Sequence, residues 1–171
     1  MGRGTLILMV GAPGSGKTTA AKKISEKLGN IPVVSSDKVR ETLYGNEATQ
    51  GKSADVFKEV FRLVNENLDK EYICILDATN CEQWARWSAI AHTLPNRVIY
   101  IMMEENADIL KERNAARDRK VPEKVINRML RSLKNHYPTE EEAKNLTILN
   151  YNEQDIYDIY DSIFLAWGIY V

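Results

Sequence analysis

A glycine-rich segment near the start of the chain, Gly11–Thr19, constrains the fold more than any other feature of the sequence. It follows the apolar run Leu6–Val10 and has the spacing G-x-x-x-x-G-K-[ST] of a P-loop. Glycines let consecutive backbone N–H groups turn toward a polyphosphate, and the N-terminus of a following helix adds a favourable dipole. An ordinary glycine-rich turn would require neither the preceding strand nor Lys-Thr after the last glycine. The segment therefore predicts a strand, a phosphate-binding loop and a helix, in that order.

The P-loop predicts ATP as the phosphate donor and Mg²⁺ as its metal. Lys17 is expected to reach the β- and γ-phosphates, and the Thr18 hydroxyl to ligate the metal. The loop residues predicted to bind the nucleotide are Gly11, Ala12, Pro13, Gly14, Ser15, Gly16, Lys17, Thr18 and Thr19.

A chain of 171 residues can bury a full core, so residues 1–171 are predicted to form a single domain. No run approaches the roughly 18 apolar residues of a membrane span, and the apolar run at 5–10 leads into the P-loop rather than a secretory cleavage site. Cys74 and Cys81 have no metal-binding or redox spacing. We therefore expect a reduced, cytoplasmic protein that does not associate with membranes.

Charge is unevenly distributed, although the net charge is only −1. From Lys111 to His136 there are nine Lys or Arg and three Asp or Glu, a balance of +6. From Tyr137 to Val171 there are one Lys and seven acids, a balance of −6. The small net charge argues against a general nucleic-acid coat protein. The local basic segment suits an anionic substrate held at one place, and a solvated helix face explains part of it equally well.

Strands alternate with helices along the chain. Apolar runs predict strands at residues 6–10, 31–37, 72–77, 98–103 and 146–150. Periodicity and capping signals predict helices at 17–28, 39–43, 53–68, 80–94, 106–116, 122–135 and 153–167. One helix should bury Val56, Phe57, Val60, Phe61, Val64 and Leu68, and another should bury Trp84, Trp87 and Ile90. This order predicts an α/β protein with a parallel sheet covered on both faces.

Ligands of such sheets lie beyond the carboxyl ends of the strands, where the P-loop, Asp37, Asp77 and Asn150 should meet. Asp77 ends an apolar strand, which is the expected place for an acid that holds Mg²⁺ or one of its waters. Asp37 could accept a proton from a substrate hydroxyl while Arg40, one turn later, holds a neighbouring phosphate. Asp37 could equally cap the following helix, and both roles can coexist.

Basic residues late in the chain allow two interpretations. Arg113 and Arg117 are four residues apart on one helical face, and Arg119 follows where that helix breaks. The segment could close over the nucleotide and neutralise the transferring phosphate, or it could be a salt-bridged surface helix. Arg86 could face the acceptor or the solvent.

Three further segments follow the P-loop in a familiar order: Val33–Arg40, Leu76–Asn80 and Glu112–Arg117. Together they resemble the 5′-hydroxyl polynucleotide kinases of phage and bacterial RNA repair. The resemblance spans most of the chain and covers the kinase module of those proteins. It implies a P-loop kinase fold with a five-stranded parallel sheet, helices on both faces and a basic helical lid at about residues 113–124.

The same resemblance implies roles for individual residues. Asp37 matches the general base that activates the 5′-hydroxyl, and Arg40 matches the contact to the acceptor phosphate. Arg113 and Arg117 match lid residues over the donor nucleotide. With the residues argued above, the predicted catalytic set is Lys17, Asp37, Arg40 and Arg117, and the predicted acceptor site is Asp37, Arg40, Asn80 and Arg86.

The implied activity is ATP-dependent transfer of the γ-phosphate to the 5′-hydroxyl end of RNA or DNA, with other repair enzymes acting in trans. A small-molecule or tRNA-linked kinase could use the same scaffold, because acceptor identity depends on loops. A nucleotide-binding switch or toxin-like module with a protein partner is a third alternative, against which the Asp37–Arg40 pair counts. The loop at 46–52, near the expected acceptor entrance, has no feature that selects RNA or DNA.

Overall fold

The computed structural model describes residues 3–46, 52–152 and 156–167. The strands are β1 (Thr5–Val10), β2 (Val33–Ser35), β3 (Ile73–Asp77), β4 (Arg97–Met102) and β5 (Leu146–Asn150). The helices are α1 (Lys17–Lys27), α2 (Ser36–Tyr44), α3 (Ser53–Glu71), α4 (Gln83–Thr93), α5 (Ala107–Ala115), α6 (Glu123–Asn135) and α7 (Ile156–Trp167), with a 3₁₀ turn at Glu140–Glu142. Residues 47–51 of the loop at 46–52, and the first residues of the helix predicted at 153–167, lie outside the described ranges.

The five strands form one parallel sheet in the order β2-β3-β1-β4-β5. β1 is central, with Leu8 in register with Leu76 of β3 and with Tyr100 of β4. All six residues of β1 are buried, as expected for a strand covered on both faces. The predicted α/β fold with a five-stranded parallel sheet is confirmed.

Alternate side chains of β1 enter two apolar layers. Leu6, Leu8 and Val10 pack with residues of α2 to α6, whereas Ile7 and Met9 pack with α1 and α7. The apolar face predicted for α3 is confirmed: Val56, Val60, Val64 and Leu68 are fully buried, and Phe57 and Phe61 are partly buried against the same layer. Because all strands are parallel, the loops after β1, β2 and β3 lie at the same end of the sheet, beyond the carboxyl ends of the strands.

The start of α2 differs from the sequence prediction. β2 has three residues and ends at Ser35, so α2 begins at Ser36 rather than at Val39. Ser35 caps this helix, because its side chain accepts a hydrogen bond from the Lys38 backbone N–H at 3.5 Å. Asp37 therefore lies in the first turn of α2 and is not its N-cap, which removes the capping alternative for that carboxylate.

The inward face predicted for α4 is wrong in part. Trp84 and Trp87 are 66% and 51% exposed, whereas Arg86, Ala89 and Thr93 form the buried side of the helix. Ile90 is partly buried against the core, as predicted. The apolar pattern of α4 indicates the wrong face because its buried side includes Arg86, which is buried in an ion pair with Glu142, while the two tryptophans lie on the exposed side.

In the part of the chain that the structure describes, no helix is both long enough and apolar enough to cross a membrane.

Candidate active site

The P-loop wraps the end of β1 in a conformation that requires its glycines. Gly14 and Gly16 have φ angles of 87° and 85°, in the left-handed region that other residues rarely adopt. A side chain at Gly14 would lie 2.7 Å from the Leu110 carbonyl oxygen, so the loop passes directly against α5. Gly16 caps α1, which begins at Lys17 and directs its free N–H groups at the loop. The arrangement forms a cradle for an anion such as a polyphosphate.

The segment after β3 fastens this cradle. The Gly11 backbone N–H donates to the Thr79 carbonyl oxygen at 2.9 Å. The Asn80 side-chain amide donates to the Met9 carbonyl oxygen at 2.8 Å and to the Ala78 carbonyl oxygen at 3.2 Å. Asn80 is only 3% exposed. The Asn80 amide therefore joins the ends of β1 and β3, and its predicted contact with the acceptor stays a prediction.

Thr18 and Asp77 form a pair of oxygen ligands beside the cradle. The Thr18 hydroxyl donates to Asp77 Oδ2 at 2.8 Å. Asp77 is 4% exposed, and its Oδ1 is buried without a hydrogen-bond partner among the described residues, as is the Ser15 hydroxyl. Burial raises the pKa of Asp77, and the Thr18 hydrogen bond and the Lys17 charge oppose that shift. A buried, unpaired carboxylate oxygen next to a hydroxyl fits Mg²⁺, which prefers hard oxygen ligands.

Lys17 interacts electrostatically with both carboxylates, Asp77 and Asp37. Its half-buried position lowers the pKa of its ammonium, while the charges of Asp77 and Asp37 raise it. The nearby charge of Arg117 acts in the opposite direction and lowers the Lys17 pKa. Lys17 is therefore close enough to interact electrostatically with the predicted metal ligand Asp77, the predicted base Asp37 and the predicted lid residue Arg117.

Asp37 is held by two arginines. Arg40 Nη1 lies 2.9 Å and Arg119 Nη1 lies 3.3 Å from the same oxygen, Asp37 Oδ1. The Asp37 side chain is 44% exposed, so its carboxylate opens to solvent. β2 lies beside β3 with Ser35 in register with Asp77, which places the start of α2 next to the metal-type ligands. The predicted acid, its arginine and the donor loop therefore meet at one edge, whereas Asn150 ends β5 on the far side of β4 from β1.

Basic residues of α5 and of the segment after it reach the P-loop and Asp37. Arg113 Nη1 lies 4.0 Å from the position that a Cβ atom at Gly16 would occupy. Arg117 is exposed. Asn114 closes the segment by donating to the Val121 carbonyl oxygen at 2.8 Å and accepting from the Val121 N–H at 3.0 Å. Asn114 is not among the predicted site residues. Its signal is an asparagine at the end of a helix that is followed within a few residues by a second helix.

Arg86 turns into the core, and its predicted contact with the acceptor stays a prediction that this burial does not support. It is 0% exposed and forms a bidentate pair with Glu142, at 2.9 Å from Nε and 2.7 Å from Nη2. Its Nη1 donates to the Asn80 and Cys81 carbonyl oxygens at 3.2 and 3.0 Å, and its Nη2 to the His136 carbonyl oxygen at 2.8 Å. Arg86 therefore supports the segment that fastens the P-loop. Nothing local in the sequence connects it with Glu142, which is 56 residues away.

A P-loop after the central strand of a parallel sheet and a buried acid at the end of the adjacent strand define a P-loop nucleotide-binding α/β protein. Residues 6–136 match the model of the family described as an AAA domain, and the chain belongs to that family. A comparison with the curated proteins finds no match.

Three solved structures with similar folds come from proteins that are described in different ways. A chain of the Pnkp1/Rnl/Hen1 RNA repair complex superposes with a TM-score of 0.71 at 20% identity, covering 85% of this chain and 48% of that one. A gluconokinase from Sinorhizobium meliloti gives 0.60 at 16% identity, covering 97% and 92%. Kti12 from Chaetomium thermophilum, solved in complex with ADP-AlF3, gives 0.61 at 18% identity, covering 94% and 98%. The chain therefore shares the fold of these proteins.

Proposed function

We propose that this chain transfers the γ-phosphate of ATP to the 5′-hydroxyl end of a nucleic acid, either RNA or DNA. The observation that carries the proposal is the placement of Asp37. Its carboxylate opens to solvent beside the P-loop, and both arginines engage the same oxygen, Oδ1. The Asp37 carboxylate is the group that would accept the hydroxyl proton. An acid flanked by arginines suits an acceptor that carries a hydroxyl and a nearby phosphate, as the 5′-terminal nucleotide of a strand does.

The remaining site residues fit the donor half of this reaction. Lys17 and the P-loop N–H groups would hold the β- and γ-phosphates, and Arg113 and Arg117 would cover them from the lid. Thr18 and Asp77 would hold Mg²⁺, which supplies charge neutralisation at the phosphate oxygens when bound. The acceptor oxygen forms the new bond to the γ-phosphorus as its proton passes to Asp37. The bond from that phosphorus to the β–γ bridging oxygen breaks, and ADP leaves with the electron pair.

The direct test is transfer of radiolabel from γ-labelled ATP to 5′-hydroxyl oligonucleotides of RNA and DNA. We expect label at the 5′ end with at least one of the two. The proposal is overturned if neither is labelled while the protein binds ATP with Mg²⁺.

The assignment of Asp37 has a matched control on the same helix. Asp37→Asn keeps the size of the side chain but removes the base, so kcat should fall by about 10²- to 10⁴-fold, the usual contribution of a general base. The affinity for ATP should remain near that of the wild type. Glu41→Gln alters a carboxylate one turn later, which is paired with Lys38 at 3.2 Å, and should leave kcat unchanged. Equal effects of the two substitutions would contradict a specific role for Asp37.

A small-molecule kinase is the second candidate, because the gluconokinase from Sinorhizobium meliloti superposes over 92% of its own length. ATP consumption with a panel of sugars and other small alcohols separates the two candidates. Turnover with such an acceptor, in the absence of transfer to oligonucleotides, would favour the second.

A further inference from the structure

We propose that the solvent face of α6 binds the phosphate backbone of the acceptor strand beyond its reacting 5′ end. The inference rests on the proposed function and extends it from the terminal nucleotide to the strand that follows. Three residues form this surface, which we call the α6 basic stripe: Lys124, Arg128 and Arg131.

The stripe lies on one side of the helix, opposite the core. At 100° per residue the three positions fall within about 60° of one another, and they lie about 180° from the buried Ile126 and Leu133. All three side chains are exposed. The cations therefore point directly to solvent and contribute nothing to packing at the sheet.

The stripe also brings no evident stability to the helix. Across residues 3–46, 52–152 and 156–167, none of its three side chains forms an ion pair. On α3, by contrast, Arg62 pairs with Glu59 and Glu66 at 2.8 and 3.1 Å. Like charges at i and i+4, such as Lys124 and Arg128, repel and destabilise an isolated helix by about 0.2–0.5 kcal/mol. A row of unpaired cations suits an anionic partner better than it suits the folded chain alone.

The beginning of α6 is tied to the active site. Lys111 of α5 lies 3.7 Å from Glu123, the first residue of α6, and Asn114 holds Val121 by two hydrogen bonds. The segment between the helices reaches Asp37 through Arg119 at 3.3 Å. The stripe therefore begins on the helix that directly follows this tied segment, five residues after the arginine that contacts Asp37.

The dimensions favour a strand over a small acceptor. From Lys124 to Arg131 the helix rises about 10 Å. That length corresponds to about three phosphates at the ~3.4 Å axial spacing of one B-form strand. A sugar carries no phosphate and a single nucleotide carries too few to match three cations, whereas the backbone of an oligonucleotide supplies one phosphate per residue.

The test compares a long and a short acceptor that share the same reacting end. The substrates are a 5′-hydroxyl oligonucleotide of about twelve residues and a nucleoside 3′-monophosphate, which has one phosphate and no following strand. The variant is Lys124→Ala/Arg128→Ala/Arg131→Ala. A matched control, Lys22→Ala/Lys58→Ala/Lys144→Ala, removes three exposed positive charges from other parts of the chain.

The triple α6 variant should raise the KM for the oligonucleotide roughly 10- to 100-fold at 0.1 M salt, because each phosphate contact contributes about 0.7 to the logarithmic salt slope of single-strand binding. The KM values for ATP and for the nucleoside 3′-monophosphate should not change. The control variant should keep the wild-type KM for the oligonucleotide. With the wild-type protein, the KM for the oligonucleotide should rise more steeply with salt than the KM for the monophosphate.

The outcomes separate the inference from the proposed function. If the wild type phosphorylates the oligonucleotide but the α6 variant has an unchanged KM, the stripe proposal is overturned and the kinase proposal stands. The stripe proposal is also overturned if, with the wild-type protein, the KM values for the oligonucleotide and the monophosphate depend equally on salt, a result that needs no variant. If the wild type phosphorylates neither nucleic-acid acceptor, both proposals fail.

Discussion

Arg86→Met should destabilise the protein, because the structure makes Arg86 a buried support of the active-site loop. The guanidinium is fully buried, and the Glu142 side chain that it pairs with is 3% exposed. Removing one partner of a buried ion pair leaves an uncompensated charge and costs about 3–5 kcal/mol. That is a large part of the 5–15 kcal/mol typical of a folded domain. For a domain of this size it corresponds to a fall in Tm of roughly 6–20 °C.

Urea unfolding followed by circular dichroism measures the effect directly. Arg86→Met/Glu142→Met removes both charges and should recover part of the loss. Recovery should be incomplete because the carbonyl oxygens of Asn80, Cys81 and His136 would still lack their donor. Arg62→Met breaks exposed ion pairs on α3 and serves as the control, with an unfolding midpoint close to that of the wild type.

Acceptor kinetics decide between the two interpretations of Arg86. A direct contact to the acceptor would raise the acceptor KM and leave the unfolding midpoint unchanged. That result for Arg86→Met would refute the reasoning from burial.

Three other expectations follow from the site. Burial raises the pKa of Asp77 above its ordinary 3.8, so its ionised form carries a penalty that is absent below that pH and present once the pH exceeds the folded-state pKa. Asp77→Asn should therefore raise the unfolding free energy of the apoprotein at pH 7 but not near pH 3. The same substitution should abolish the rise in Tm that the wild type gains from Mg²⁺ with ATP. A variant apoprotein that is less stable than the wild type at pH 7 would contradict the burial penalty assigned to Asp77. Trp84→Ala and Trp87→Ala should each lower the unfolding free energy by far less than the about 3–5 kcal/mol expected for a core tryptophan, because more than half of each residue is exposed. Thermal unfolding measures this, and a loss of stability as large as that of a core tryptophan would show that the residue is part of the core. Asn114→Ala should raise the KM for ATP and speed hydrogen exchange across residues 116–121, because it removes both hydrogen bonds that close the lid segment; unchanged exchange there would show that another contact holds the segment.

The donor half of the site could be predicted from the sequence because its information is local. The nine residues Gly11–Thr19 specify their own backbone path, and the glycines at 14 and 16 adopt the left-handed conformation that the motif requires. The apolar run before Asp77 likewise fixes its place at the end of a buried strand. Parallel pairing then brings the carboxyl ends together, as the alternation of strands and helices indicated.

The acceptor half could be predicted less well because its residues depend on distant contacts. Both interpretations of Asp37 were compatible with the sequence, and the early start of α2 at Ser36 decided against capping. The sequence predicts Asn80 and Arg86 at the acceptor. Their side chains turn inward instead, since buried carbonyl groups and Glu142 satisfy them.

The sequence by itself determined the parallel α/β class, the P-loop and the order of the elements, because periodicity, glycine placement and strand alternation act over short distances. The tertiary structure decided which polar side chains are free to act. It buried Arg86 against Glu142, exposed Trp84 and Trp87, and brought Arg119 to Asp37. Burial and ion pairing depend on partners tens of residues away, and a local pattern does not specify those partners.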